Sequence, residues 1–290
     1  MSPSLDASAC HNLLRSFLAE DIGSGDVTTE STVPALLRAH GDVICKAPLV
    51  LAGIDLFVEV FRLLDETTEA SFSFHDGEEL IPGKIPARVT ASARALLTGE
   101  RIALNLLQRL SGVATLTRRF VDAVKGTGAQ ILDTRKTTPG LRGLERYAVR
   151  VGGGTNHRRD LSEAILIKEN HIRLAGGVTA ALTAAQAARS HASWIEIEVT
   201  NLDELRASVV HGPDVILLDN MSPALVRQAV DLVRTRSSSG SSKKIRTEAS
   251  GGISLQNVRE FAEAGVDWIS LGALTHSAPA VDISFEIEPE

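Results

Sequence analysis

The chain has 290 residues, 43% hydrophobic and 23% charged, with a formal net charge of −6 and a pI near 5.8, the balance of a globular protein with material for one large or two modest domains. That acidity and an aromatic content of 4% exclude an extended nucleic-acid surface, which needs a basic stripe and stacking rings. No run is apolar enough for a membrane span, no basic segment leads into an apolar stretch near Met1, and Cys10 and Cys45 have no metal-ligand spacing; the expectation is a cytoplasmic protein with a small-molecule partner.

Residues 10–20 carry Leu13, Leu14, Phe17 and Leu18 at helical spacing, and GSGDVTT then supplies turn and capping chemistry. The segments 41–54, 70–80 and 87–99 alternate or carry β-branched residues between Gly and Pro turns and are predicted strands, with a helix over 56–66. Together they predict a small α+β unit, an open sheet with helices on one side. A long helical pattern over 100–124, with a break expected near Gly112, bridges to a second domain.

From 130 onward, apolar strands at 130–135, 164–168, 194–199, 215–219, 245–250 and 268–272 alternate with helix-like runs, the last of which ends at Gly265. This pattern predicts a parallel sheet with right-handed crossovers. Polar residues cluster at the carboxyl ends of the strands: Asp133 and Arg135, Lys168, Glu198, Asp219, Ser250 and Gly272. In a β/α barrel that end carries the active site, and six strands fall short of the eight of a full barrel of roughly 250 residues. The fold class expected is therefore α/β, an N-terminal α+β open-faced sandwich (1–115) joined to an incomplete parallel α/β barrel (116–277). The alternation over 281–287 adds a closing strand, which assigns 278–290 to the N-terminal domain, and SSSGSSKK at 237–244 reads as a flexible loop.

Between Arg135 and Arg173 lie nine Lys/Arg against four Asp/Glu, in a chain that is acidic overall. Cations concentrated beside Gly, Thr and His suit a small, highly charged anion. Arg135, Lys136, His157, Arg158 and Lys168 come from separate elements; Arg forks suit carboxylates, and Lys serves phosphate as a point charge. The cationic surroundings of His157 are expected to favour its neutral form or an anionic ligand. Glu198 and Asp219, at the ends of adjacent strands, suit ribose hydroxyls or a hydrated divalent cation, with salt bridges as the structural alternative. Glu196, on the same face by period two, reads as a barrel-interior partner. Gly-rich turns at 248–253 and 270–277 follow the last two strands, where backbone N–H groups often hold a phosphate. Walker, GxGxxG, GxSxG and zinc spacings are absent from the sequence.

The ordered set EDIGSGDVTT, TGERIALNLLQRLSGVATLT, DTRKTTPGLR, YAVRVGGGTNHR, LIKENH, IEIEV, ILLDN, EASGGI and GVDWISLGAL resembles quinolinate phosphoribosyltransferases over residues 20–285. The resemblance implies a homodimer or higher homo-oligomer with shared sites, each N-terminal domain capping the partner's barrel. It implies conversion of quinolinate and phosphoribosyl pyrophosphate to nicotinate mononucleotide, pyrophosphate and carbon dioxide with Mg2+, in NAD biosynthesis. It places quinolinate carboxylates on Arg135, His157 and Arg158, with Arg101 arriving from the partner. Lys136 and Lys168 serve the substrate anions and pyrophosphate, Glu198 and Asp219 the ribose hydroxyls and the metal, and Ser250, Gly251, Gly272 and His276 the 5′-phosphate. Two positions depart from the family pattern, Arg159 where an apolar residue is usual and Glu163 where Asp is favoured. Rival readings are a nicotinate-specific transferase, a molybdate-operon relative of the same architecture, a Schiff-base aldolase using Lys136 or Lys168, and a non-catalytic sugar-phosphate sensor.

Overall fold

The computed structural model describes residues 7–238 and 244–290. The chain divides into two compact units: Met1–Arg118 with Thr138–Gly153 and Ser277–Glu290, and Arg119–Thr137 with Gly154–His276. None of the described helices is long and apolar enough to cross a membrane.

The first unit contains α1 (Ala7–Ile22), α2 (Val27–Thr32), β1 (Arg38–Cys45), β2 (Leu49–Val50), α3 (Ile54–Arg62), β3 (Glu69–Phe72), β4 (Glu79–Leu80), β5 (Ala87–Ser92), most of α4 (Ala93–Ala123), and α5 (Arg142–Val151). Asp26 caps α2, its Oδ1 accepting the Thr29 N–H at 3.0 Å, as the GSGDVTT turn predicts. An antiparallel sheet runs C-terminal strand, β1, β5, β3. Alternate residues of β1 are buried, so one face takes the core. There Phe57 and Phe61 of α3 meet Phe285 of the C-terminal strand, with ring centroids 5.2, 5.2 and 5.4 Å apart. Gly41 makes room for Phe285, whose Cζ would lie 2.1 Å from a Cβ at that position.

The expected strand over 87–99 stops at Ser92, because from Ala93 the apolar period changes to that of a helix, with Leu96, Ala103, Leu107 and Leu110 buried along α4. The strand over 41–54 breaks at Lys46–Pro48, and its remainder, β2, pairs with β4. The break expected at Gly112 does not occur: α4 is continuous, and the glycine admits the Pro279 carbonyl, which would stand 2.0 Å from a Cβ. Residues 138–153, within the range expected for the barrel domain, cluster with the first unit. Side chains on α5 explain this: buried Glu145 pairs with Arg109 at 2.7 Å, and the Tyr147 hydroxyl donates to Asp76 at 2.6 Å.

The second unit contains β6 (Gln130–Leu132), β7 (Ile165–Ile167), α6 (Glu169–Ala175), α7 (Val178–Ala187), β8 (Ile195–Val199), α8 (Leu202–His211), β9 (Val215–Asp219), α9 (Pro223–Ser238), β10 (Arg246–Ser250), α10 (Val258–Glu263), β11 (Trp268–Ser270) and α11 (Ala273–His276). The chain then returns to the first unit as β12 (Ile283–Pro289). All six predicted barrel strands are present and parallel, in the order β6-β11-β10-β9-β8-β7. Among the described residues the pairing beyond β6 continues as a single bridge from Leu132 to Thr155, the edge of an incomplete barrel. The loop expected over 237–244 lies largely outside the described residues, with α9 reaching Ser238.

Candidate active site

Strand alternation builds the site in two tiers. On β7, β9 and β10 the inward pairs are Leu166 and Lys168, Leu217 and Asp219, and Glu248 and Ser250; β8 adds Glu198 and β11 adds Ser270. The lower member of each pair floors the pocket and the upper member stands at the carboxyl end of its strand. The pocket, about 440 Å³, is completed by Thr134, Arg135, Lys136, His157, Arg158, Leu161 and His171. Every lining residue belongs to the second unit.

Its cationic wall is built locally. Asp133, fully buried after β6, accepts the backbone N–H of His157 at 2.7 Å and the Asn156 side-chain amide at 2.5 Å. It thus ties the NHR segment to the first barrel strand. Buried Arg158 donates Nη1 to the Ala164 carbonyl at 2.8 Å. Its pKa is lowered by burial and by the nearby Arg135 charge, with Glu196 opposing. Arg135 Nε is buried with no hydrogen-bond partner. Two guanidiniums held close enough to repel, one with an unspent donor, make a site for a multiply charged carboxylate.

His157 corrects an expectation. Its neighbours are acids as well as cations: Nε2 lies 3.1 Å from Glu196 Oε2 and 3.5 Å from Glu248 Oε2, and both glutamates are fully buried. Burial disfavours its charge, but the contacts with Glu196 and Glu248 prevail and raise its pKa. The Arg158 backbone N–H points at Nδ1 from 2.8 Å, so in the neutral ring the proton sits on Nε2, toward the acids. Glu248 is pushed up to about 7 by burial and by the charge of Glu196, against the pull of His157 and Ser270. The three residues are also the described grouping whose ligand atoms lie close enough, within 4.8 Å, to surround a metal ion. Glu196 is the interior partner its strand period predicts. Glu248 went unnoticed in the sequence, where it is one more alternate residue of β10.

At the strand ends, Lys168 Nζ pairs with Glu198 Oε2 at 2.7 Å, and Asp219 accepts the Asn220 side-chain amide at 2.8 Å. Asn220 takes a left-handed conformation (φ 54°) and donates its N–H to the Ser250 carbonyl at 2.9 Å. Its Oδ1 would lie 2.3 Å from a Cβ on Gly251, whose φ is +89°, so that turn requires glycine on two counts. Gly272 is similarly crowded, with Lys136 Cδ at 2.9 Å and His276 Nε2 at 3.0 Å from its would-be Cβ.

Eight expected site residues therefore line one pocket: Arg135, Lys136, His157, Arg158, Lys168, Glu198, Asp219 and Ser250. Gly251, Gly272 and His276 flank it in the turns after β10 and β11. Arg101 belongs to the other unit, on α4, with its side chain 61% exposed. Of the basic run, Arg142, Arg146 and Arg150 lie on α5 in the first unit, Arg159 and Arg173 are not in the pocket lining, and Arg135, Lys136, Arg158 and Lys168 line it. The two departures from the family pattern meet each other: the Arg159 N–H donates to Glu163 Oε2 at 2.5 Å, closing the loop that carries them. His171, whose Nδ1 accepts the Lys168 N–H at 3.0 Å, lines the pocket without having been singled out.

The model of the family described as quinolinate phosphoribosyl transferase, C-terminal domain, matches residues 113–286, and that of its N-terminal domain matches 26–111. The chain is 43% identical over 275 residues to a probable nicotinate-nucleotide pyrophosphorylase (carboxylating) of Bacillus subtilis, covering 95% of this chain and 92% of that one. It is 42% identical over 284 residues to the nicotinate-nucleotide pyrophosphorylase (carboxylating) of Mycobacterium leprae, covering 96% and 97%. The crystal structure of NadC from Streptococcus pyogenes superposes with a TM-score of 0.93 at 38% identity, over 100% of both chains.

Proposed function

Because the chain belongs to the quinolinate phosphoribosyl transferase family, we propose that its barrel pocket joins quinolinate to phosphoribosyl pyrophosphate, releasing nicotinate mononucleotide, pyrophosphate and carbon dioxide. The enzyme is a decarboxylating pentosyltransferase of NAD biosynthesis. The observation that carries the assignment to this pocket is the Arg135–Arg158 pair, whose mutual repulsion a vicinal dicarboxylate relieves.

In this reading the two arginines orient the pyridine ring so that its nitrogen faces the ribose carbon. Orientation alone removes much of the entropic barrier to the transfer. Lys136 and Lys168 draw the departing pyrophosphate as charge develops on its oxygen. Lys168 is already placed beside Glu198, so the carboxylate positions the amine as well as facing the ribose hydroxyls. Ser250, Gly251, Gly272 and His276 serve the 5′-phosphate. Glu198 and Asp219 offer hard oxygens at adjacent strand ends, a donor set that fits Mg2+ shared with substrate phosphates. Bound there, the ion supplies positive charge to the leaving group.

The same reading makes the working protein a homodimer in which Arg101 of each subunit completes the partner's site. Its exposure on a helix that carries no pocket residue favours a role outside its own barrel. Two free cysteines, Cys10 and Cys45, suit a reducing, cytoplasmic location. Incubation with quinolinate, phosphoribosyl pyrophosphate and Mg2+ should yield nicotinate mononucleotide, and chelator should stop it. Nicotinate should be a poor substitute, because it leaves one arginine unpaired; equal turnover of nicotinate and quinolinate would overturn the assignment.

A further inference from the structure

Loss of carbon dioxide from the 2-position of the pyridine ring leaves an electron pair on that carbon, and the product carries a hydrogen there. One proton must therefore be delivered inside the pocket in every turnover. We propose that Glu248, on the pocket floor, is the acid that delivers it, an inference that rests on the reaction assigned above.

The geometry singles this residue out. Glu248 is fully buried yet lines the pocket, and its carboxylate is weakly held, by a 3.5 Å contact of Oε2 with His157 Nε2. A buried carboxylate so weakly held is costly when charged, so the site favours the neutral acid. Around it stand Glu196 from β8, Ser270 from β11, and His157, with Arg135 and Arg158 on the adjoining wall. Glu196 is nearer to His157 Nε2 than Glu248 is, at 3.1 against 3.5 Å, and takes the ring's proton in a hydrogen bond. Glu248, at the longer distance and raised to about 7 by burial and by the Glu196 charge, is an acid that holds its proton into the neutral range. The wider wall is cationic and holds carboxylates in place; Glu248 is the acidic proton source beneath it.

In the step, the bond between ring carbon 2 and its carboxylate breaks. The electron pair stays on the ring carbon, stabilised by the adjacent pyridinium nitrogen, and carbon dioxide departs. The carbon then takes the proton from Glu248, leaving a carboxylate beneath the product. A proton from water restores the acid before the next turnover. A proton donor close at hand matters because the carbanion can otherwise recapture carbon dioxide.

The test measures how that carbanion partitions. Wild-type enzyme and Glu248→Gln are given quinolinate, phosphoribosyl pyrophosphate and 13C-labelled carbon dioxide, and label entering the 2-carboxylate is compared with product formed. Glu248→Gln should bind quinolinate within threefold of wild type, make product at least a hundredfold more slowly, and return label at least tenfold more often per product. In the wild type the exchange-to-product ratio should rise as pH passes about 7, and this dependence should vanish in the variant. An unchanged ratio across pH in the wild type overturns the proposal even if the variant does not fold, as does a variant with product rate and exchange near wild type. A wild type that forms no nicotinate mononucleotide at any pH would instead overturn the parent assignment.

Discussion

Lys168 Nζ stands 2.7 Å from Glu198 Oε2, bridging the carboxyl ends of two neighbouring parallel strands. The lysine is 49% exposed, so the ion pair contributes at most about 1 kcal/mol to stability. Its placement at the pocket mouth makes sense as preparation for an incoming anion. Lys168→Met should leave the melting temperature within a few degrees of wild type. It should lower kcat/KM for phosphoribosyl pyrophosphate by about a hundredfold or more, equivalent to roughly 3 kcal/mol. Steady-state kinetics beside thermal unfolding checks both halves.

Asp133→Ala should do the reverse. The substitution takes the acceptor from the buried His157 N–H, at a cost of about 1–3 kcal/mol, and one hydrogen bond from the half-buried Asn156 amide. Denaturant titration should show that loss, and KM for quinolinate should rise as Arg158 loses its fixed support.

Gly251→Ala should weaken the turn after β10. It forces a side chain into φ +89° and against Asn220, costing about 1–3 kcal/mol. The phosphate-binding role predicts a higher KM for phosphoribosyl pyrophosphate with that for quinolinate little changed.

Stability should also report Glu248. Its folded pKa, about 7, lies above the ordinary 4.5, so between those values the folded state holds a proton that the unfolded state has released. Stability is therefore highest below about 4.5 as far as this group is concerned, and falls as pH rises to about 7, by roughly 3 kcal/mol at most. His157, also raised, acts in the same direction at higher pH. Denaturant midpoints measured from pH 5 to 8 should decline in the wild type, with the decline below pH 7 flattened in Glu248→Gln.

The barrel was legible because each of its strands is a short apolar run ending in one or two polar residues, a pattern with few other readings. Position along the strand then exposed the upper tier, Lys168, Glu198, Asp219 and Ser250. The lower tier was half hidden. Glu196 showed itself by its period of two with Glu198, but Glu248 sits in RTEAS, where nothing distinguishes a buried acid from an exposed one. Asp133 was visible as a polar strand end, but not as a clamp, since its partners lie 23 and 24 residues away. In the first unit the turn from strand to helix at Ala93 was lost, because ARVTAS and ARALL share the same small and apolar residues. Helix α5 was obscured by its arginines, which read as part of an anion site and instead decorate a helix anchored by Glu145 and Tyr147.

Quinolinate labelled with 13C in its 2-carboxylate tests the central claim most directly, supplied with phosphoribosyl pyrophosphate and Mg2+ to wild type, Arg135→Met and Arg158→Met. The wild type should release labelled carbon dioxide, pyrophosphate and nicotinate mononucleotide in equal amounts, and each arginine variant should lose at least a hundredfold in kcat/KM for quinolinate while remaining folded. Pyrophosphate formed without labelled carbon dioxide, or full activity in both variants, would contradict the account.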